Sequence, residues 1–251
     1  MSPSRLRAAA PSMVTSGNLV VGLASVALSA MGHFEGAAWA IVYSGILDKA
    51  DGTLARALHV QSAFGMEMDS FADFTSFGLA PAALVWFLCI GSGIPPFPLW
   101  LWVAGCAALL PIAAAIRLAR FNSISHEDPA YFSGVPTTMV AGLFATLYLS
   151  LIDLKIPVQA AWLMPSAAVA GAAMMICRLR VPKLKGQPER WKNVFLVCTL
   201  LFMTVISVLQ VLPEVIFGLG SIYVVVGSLL SRQPDGQGPG GEVSSPPGGE
   251  A

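Results

Sequence analysis

The chain has 251 residues, 55% hydrophobic and 11% charged, with a formal net charge of zero and a mean hydropathy of +0.71. That composition excludes a soluble globular domain and is that of a polytopic membrane protein. Zero net charge leaves no electrostatic footprint for nucleic acid, which excludes a nucleic-acid partner.

Residues 1–11 carry Arg5 and Arg7 and read as a basic cytoplasmic arm. The first apolar run, 12–31, contains Thr15, Ser16, Gly17, Asn18 and Gly22; no small-residue cleavage site follows it, so it reads as a retained helix. His33, Glu35 and Gly36 are expected to form a turn. A second span covers 37–58 and a third 64–90, with a short turn between them at His59, Gln61 and Ser62. After a Gly/Pro loop, a fourth span covers 99–118 and is expected to break at Pro111. A fifth follows Gly134-Val-Pro136 and ends near residue 152, and a sixth covers 158–177. Arg178, Arg180, Lys183, Lys185, Arg190 and Lys192 form a basic connection suited to anionic lipid headgroups. A seventh span covers 193–211 and an eighth 213–230.

Each run is near the ~20 residues that cross a bilayer. The expectation is an all-α, polytopic membrane helix bundle of about eight transmembrane helices, forming one unit over 12–231. The Gly-, Pro- and Ser-rich segment 232–251 reads as a disordered tail. With eight spans every Lys and Arg except Lys155 falls on the side of the N-terminus, which places both termini in the cytoplasm. Cys89, Cys106, Cys177 and Cys198 lie in apolar runs without metal-ligand spacing, and His33, His59 and His126 read as solvated loop residues.

One stretch breaks the apolar pattern. Residues 48–73 read DKADGTLARALHVQSAFGMEMDSFAD. Asp48 and Asp51 are three apart, and Asp69 and Asp73 four apart; either spacing puts both carboxylates on one helix face. Two helices joined by a short turn can aim all of them at one point. Each intramembrane aspartate costs about 2.5–3.5 kcal/mol on an insertion scale. Lys49 and Arg56 cannot neutralise the four aspartates and Glu67, so a cation is missing from the sequence. Hard oxygen ligands without His or Cys suit Mg²⁺, Mn²⁺ or Ca²⁺. Four carboxylates suit two such ions, and a pair of ions is a clamp for phosphoryl transfer. Gly52, Ala55 and Gly65 leave a surface a ligand can approach, and Arg56 can fork two hydrogen bonds to a phosphate. The competing readings are a buried ion network in a non-catalytic helix pair and a cation site in a transporter or channel.

The pattern D-x2-D-G-x2-A-R-x8-G-x3-D-x3-D is met at Asp48, Asp51, Gly52, Ala55, Arg56, Gly65, Asp69 and Asp73. It resembles the signature of the CDP-alcohol phosphatidyltransferases. The segments PSMVTSGNLVVG (11–22), DSFADFTSFGLAPA (69–82), AAIRLARFN (114–122) and FSGVPTTMVAG (132–142) resemble those of the phosphatidylserine synthases. Beyond residue 142 the likeness is only in being apolar.

The resemblance implies a membrane helix bundle that moves a phosphatidyl group from CDP-diacylglycerol to an alcohol, with release of CMP. Asp48, Asp51, Asp69 and Asp73 would hold two divalent ions, Mg²⁺ or Mn²⁺. Asp51, Gly52, Ala55, Arg56 and Gly65 would contact the CDP-lipid. Asp69 and Asp73 would be catalytic, with Asp73 the base for the acceptor hydroxyl. A carboxylate-bearing acceptor could be held by Arg117 and Arg120 with Asn122, although the arginines alone leave serine and phosphorylated polyols open. The expected acceptor is L-serine, with glycerol 3-phosphate, inositol phosphate or another amino alcohol as alternatives. A homodimer in a bacterial-type inner membrane, with its site facing the cytoplasm, is implied in the same way.

Overall fold

The computed structural model describes residues 3–58, 63–91, 96–123, 131–156, 162–177, 180–182 and 204–230. The helices are α1 (Pro3–Ala30), α2 (Phe34–Leu58), α3 (Ala63–Asp73), α4 (Ala80–Gly91), α5 (Phe97–Ser123), α6 (Thr137–Asp153), α7 (Leu163–Ile176) and α8 (Pro213–Leu230). A π-helical segment, Phe74–Leu79, joins α3 to α4 without interruption. The molecule is a helical membrane bundle. Met13–Ala30, Phe64–Gly91 and Phe97–Ser123 are long and apolar enough to cross a membrane, and α6, α7 and Pro213–Val226 are shorter apolar helices.

Several expectations change. The first helix starts at Pro3, inside the segment read as an arm; proline fits a first helical position because its missing N–H has no intrahelical partner there. The turn after α1 centres on Gly32, whose φ of +80° suits a helix C-terminus. His33 N–H then closes back on Leu28 O at 2.9 Å, and Glu35 lies in the first turn of α2 rather than in a loop. Pro111 does not break the fourth span, since α5 runs through it. Neighbouring helices can accommodate the backbone group a proline frees in a membrane helix, and Pro111 packs closely against Gly78 of the π segment. The sixth span is described only from residue 162.

Among the described residues there is also a short ribbon. Tyr131–Ser133 (β1) and Arg180–Pro182 (β2) pair antiparallel in a two-stranded ribbon. It ties the entrance of α6 to the exit of α7, as does a bond from Val135 N–H to Met174 O at 3.1 Å. Gly134 sits at this junction with φ of +82°, and a Cβ there would meet Met175 O at 2.7 Å. Of the seventh span only a helical turn over 204–209 is described. The 59–62 turn, most of the basic connection and the 232–251 tail lie outside the described residues.

Apolar packing is centred on α2, the π segment, α4, α5, α6 and α7, through residues such as Ile41, Phe77, Leu84, Leu110, Phe144 and Met164. Helix α1 is built the other way round. Its buried residues Thr15, Asn18, Gly22, Ser25 and Ser29 recur at three- and four-residue intervals, while Met13, Val20 and Leu23 are exposed. In a bilayer that is the favourable orientation: apolar side chains meet lipid, and small polar ones permit close helix approach and interhelical hydrogen bonds. Ser25 Oγ donates to Ala37 O at 2.8 Å, fixing α1 to the start of α2.

Candidate active site

The acids come together where α1, α2, α3 and α6 meet. One carboxylate oxygen from each of Asp48, Asp51 and Asp69 lies within 4.8 Å of the others. The three-residue spacing on α2 puts Asp48 and Asp51 on one face, and α3 brings Asp69 to them. Asp51 is buried, and Asp48 and Asp69 are half-buried. Asp73, one turn after Asp69 on α3, lies within electrostatic reach of all three. Its Oδ1 is buried without a hydrogen-bond partner among the described residues.

The positive charge described here is small. Lys49 Nζ lies 3.9 Å from Asp48 Oδ2, on a side chain that is 78% exposed. An exposed ammonium is screened by water and contributes little. Clustered carboxylates repel one another, and a buried carboxylate oxygen without a donor is unfavourable by about 1–3 kcal/mol or more. All-oxygen ligands in a tight cluster, with one buried oxygen left without a donor among the described residues, fit a hard divalent cation.

Hydroxyls from two other helices meet the α2 acids. Thr15 Oγ1 donates to Asp51 Oδ2 at 2.9 Å. Thr138 Oγ1 donates to Asp48 Oδ2 at 3.3 Å. The π segment starts at the residue after Asp73 and buries Thr75, Ser76, Phe77 and Gly78. An inserted π turn changes which way the following residues face. Here Ser76 Oγ lies 3.2 Å from both Asn18 O and Asn18 Oδ1. Gly22 makes room for that approach: a Cβ there would overlap Ser76 Oγ and lie 2.9 Å from Ser76 Cα.

The other residues singled out in the sequence divide into groups. Gly52 and Gly65 are half-buried beside the acids in their helices. Ala55 and Arg56 lie on the last turns of α2, and their side chains are outside the described set. Arg117, Arg120 and Asn122 lie on the last two turns of α5. Asn122 Nδ2 donates to Ser70 Oγ at 3.0 Å, which brings the end of α5 to the residue after Asp69. Arg120 Nη1 donates to Ile176 O at 3.4 Å, where it complements the C-terminal end of α7. Thr138, Ser70 and Ser76 were not singled out by the sequence reading. The usable signal for Thr138 was a hydroxyl in the first turn of an apolar helix.

Comparison with known proteins agrees with this arrangement. Residues 8–204 match the profile of the CDP-alcohol phosphatidyltransferase family. A protein of Helicobacter pylori named CDP-diacylglycerol–serine O-phosphatidyltransferase is 32% identical over 222 residues, covering 86% of this chain and 89% of its own length. One of the same name from Mycobacterium leprae is 32% identical over 203 residues, 76% of this chain and 65% of its own. An archaetidylserine synthase of Methanothermobacter thermautotrophicus is 27% identical over 188 residues, 71% of each chain. The acid cluster, the helical membrane bundle and the match over most of its length agree: the chain belongs to the CDP-alcohol phosphatidyltransferase family.

Proposed function

We propose that the protein transfers the phosphatidyl group of CDP-diacylglycerol to L-serine, forming phosphatidylserine and CMP. The observation that carries the chemistry is the convergence of Asp48, Asp51 and Asp69, with the orphaned Oδ1 of Asp73 beside them. Serine as acceptor rests on the relatives, whose names share serine although their lipids differ.

In this reading Asp48, Asp51, Asp69 and Asp73 hold the divalent cations, Mg²⁺ or Mn²⁺, as two ions. When bound, such ions supply positive charge against the charge that grows on the attacked phosphoryl group and on departing CMP. The chain's own residues do the rest. Gly52, Ala55, Arg56 and Gly65 bind the CDP part of the lipid, with Asp51. Arg117, Arg120 and Asn122 orient the serine carboxylate. Asp73 Oδ1 takes the serine hydroxyl proton as the new P–O bond forms and the bond to CMP breaks. Because a carboxylate is a weak base for an alcohol, that proton moves late.

The positive-inside pattern supports a site facing the cytoplasm of a bacterial-type inner membrane. A homodimer and a lipid-bathed surface complete the proposal, on the family resemblance.

The test is CMP release by purified protein in detergent, with CDP-diacylglycerol and Mg²⁺ or Mn²⁺. Serine, glycerol 3-phosphate, inositol phosphate and ethanolamine are added one at a time. Release with serine alone is the expected result. Release with another acceptor, and none with serine, would overturn the acceptor and keep the chemistry.

A further inference from the structure

Hydroxyls in apolar helices ordinarily bond to their own backbone. In this molecule Thr75, Thr146 and Ser150 do so, to Phe71 O at 2.9 Å, Gly142 O at 2.8 Å and Thr146 O at 2.7 Å. Thr15 and Thr138 reach beyond their own helices. Each donates across the bundle to an aspartate on α2, 36 and 90 residues away in sequence. They approach from two different helices, α1 and α6, both packed against α2. Thr15 and Asp51 are 5% and 4% exposed, so that pair is closed to water.

A carboxylate turns about its Cβ–Cγ bond, and a cation selects one orientation. A donor fixed on Oδ2 helps to set that plane in advance. Lys49 also lies near Asp48 Oδ2, but its mobile, exposed ammonium cannot set an angle. A buried hydroxyl on a packed helix can.

We propose that Thr15 and Thr138 are positioning residues of the cation site, holding the carboxylates of Asp51 and Asp48 in the orientation that receives a divalent ion together with Asp69. The inference rests on the reading of these aspartates as metal ligands. Partners of this kind fix ligand orientation, and losing one typically weakens metal binding about 10- to 100-fold.

The experiment is Mn²⁺ titration of the purified protein in detergent, with and without CMP, reading free Mn²⁺ by its paramagnetic resonance signal. The variants are Thr15→Val, Thr138→Val, Thr15→Ser and, as a control on the same helix as Thr138, Thr146→Val. Each valine variant at 15 or 138 should raise the Mn²⁺ dissociation constant about tenfold or more. Thr15→Ser keeps the donor and should stay near the unsubstituted protein, as should Thr146→Val. If one valine variant fails to fold, the other carries the test, because the two hydroxyls sit on different helices. Valine variants that bind Mn²⁺ as Thr146→Val does would overturn the inference alone. An unsubstituted protein that binds no Mn²⁺ in either condition would overturn the metal site, and this inference with it.

Discussion

Gly22→Ala probes whether the polar stripe of α1 sets the geometry of the acids. A Cβ at this position would overlap Ser76 Oγ and lie 2.9 Å from Ser76 Cα and 3.1 Å from Ser76 Cβ. A rotamer change can move the hydroxyl but not the Cα. Carbon atoms pack at about 3.5–4.0 Å, so α1 and the π segment must part by roughly 1 Å. Thr15 lies seven residues earlier on the same face, about 10 Å along the axis. A shift of that size carries the 2.9 Å Thr15–Asp51 bond beyond the ~3.2 Å limit of a good hydrogen bond. Overpacking costs about 1–3 kcal/mol, offset by about 0.5–1 kcal/mol for replacing a helical glycine. The net loss of stability is therefore small, about 1–2 kcal/mol. Activity should fall further, by about 100-fold, because a misplacement of 1 Å at a catalytic centre has that effect. The assay pairs kcat/KM for CMP release with thermal unfolding in detergent. Gly17→Ala is the control: nothing lies within 4 Å of its added Cβ, so it should be active and no less stable. Gly22→Ala with unchanged kcat/KM would refute the link between α1 packing and the acids.

Asp69→Asn and Asp73→Asn should each abolish CMP release while the protein still folds, and full activity in either would remove that residue from the site. In EDTA, Asp73→Asn should unfold at a higher temperature than the unsubstituted protein, because it removes one negative charge from a group of carboxylates that repel one another. Mg²⁺ should narrow or reverse that difference; a melting temperature indifferent to both changes would contradict the electrostatic argument. Arg120→Lys keeps the charge but loses the fork, and should raise the KM for serine about tenfold while leaving that for CDP-diacylglycerol nearly unchanged. Equal effects on both substrates, with a lowered melting temperature, would assign Arg120 to the end of α7, where it already bonds Ile176 O.

How much of this was legible depends on the range of each signal. Asp48, Asp51 and Asp69 were legible because their spacing is local and their charge is conspicuous in an apolar chain. The stripe on α1 was legible in principle, as small polar residues at helical spacing. Thr138 was not, because its partner lies 90 residues away and most hydroxyls in such helices bond to their own backbone. The π segment was hidden for another reason. It differs from an α-helix by one residue of register, and FTSFGL carries no composition that demands it. The β1–β2 ribbon was masked by basic residues that read as a lipid-facing connection. Pro111 misled because the rule for soluble helices was applied where neighbouring helices compensate.

The placement of the acids also bears on transport against catalysis. Asp48 and Asp51 occupy the C-terminal half of α2, while the stretch Ala37 to Val42 in its N-terminal half is buried and apolar. From Ala37 to Asp48 the helix rises about 16 Å. The side of α1 that faces this region carries Asn18, Ser25 and Ser29 and no charge. Ser25 is committed to Ala37 O, and Gly22 closes against Ser76 with no room for even a methyl group. A transporter must open its site to both sides of the membrane in turn. Here the polar face of α1 narrows to close contact with Ser76 one helical turn beyond Asn18. A carboxylate-rich site at one end of α2, with no polar route of that kind past Gly22 among the described residues, fits the proposed catalysis better than transport.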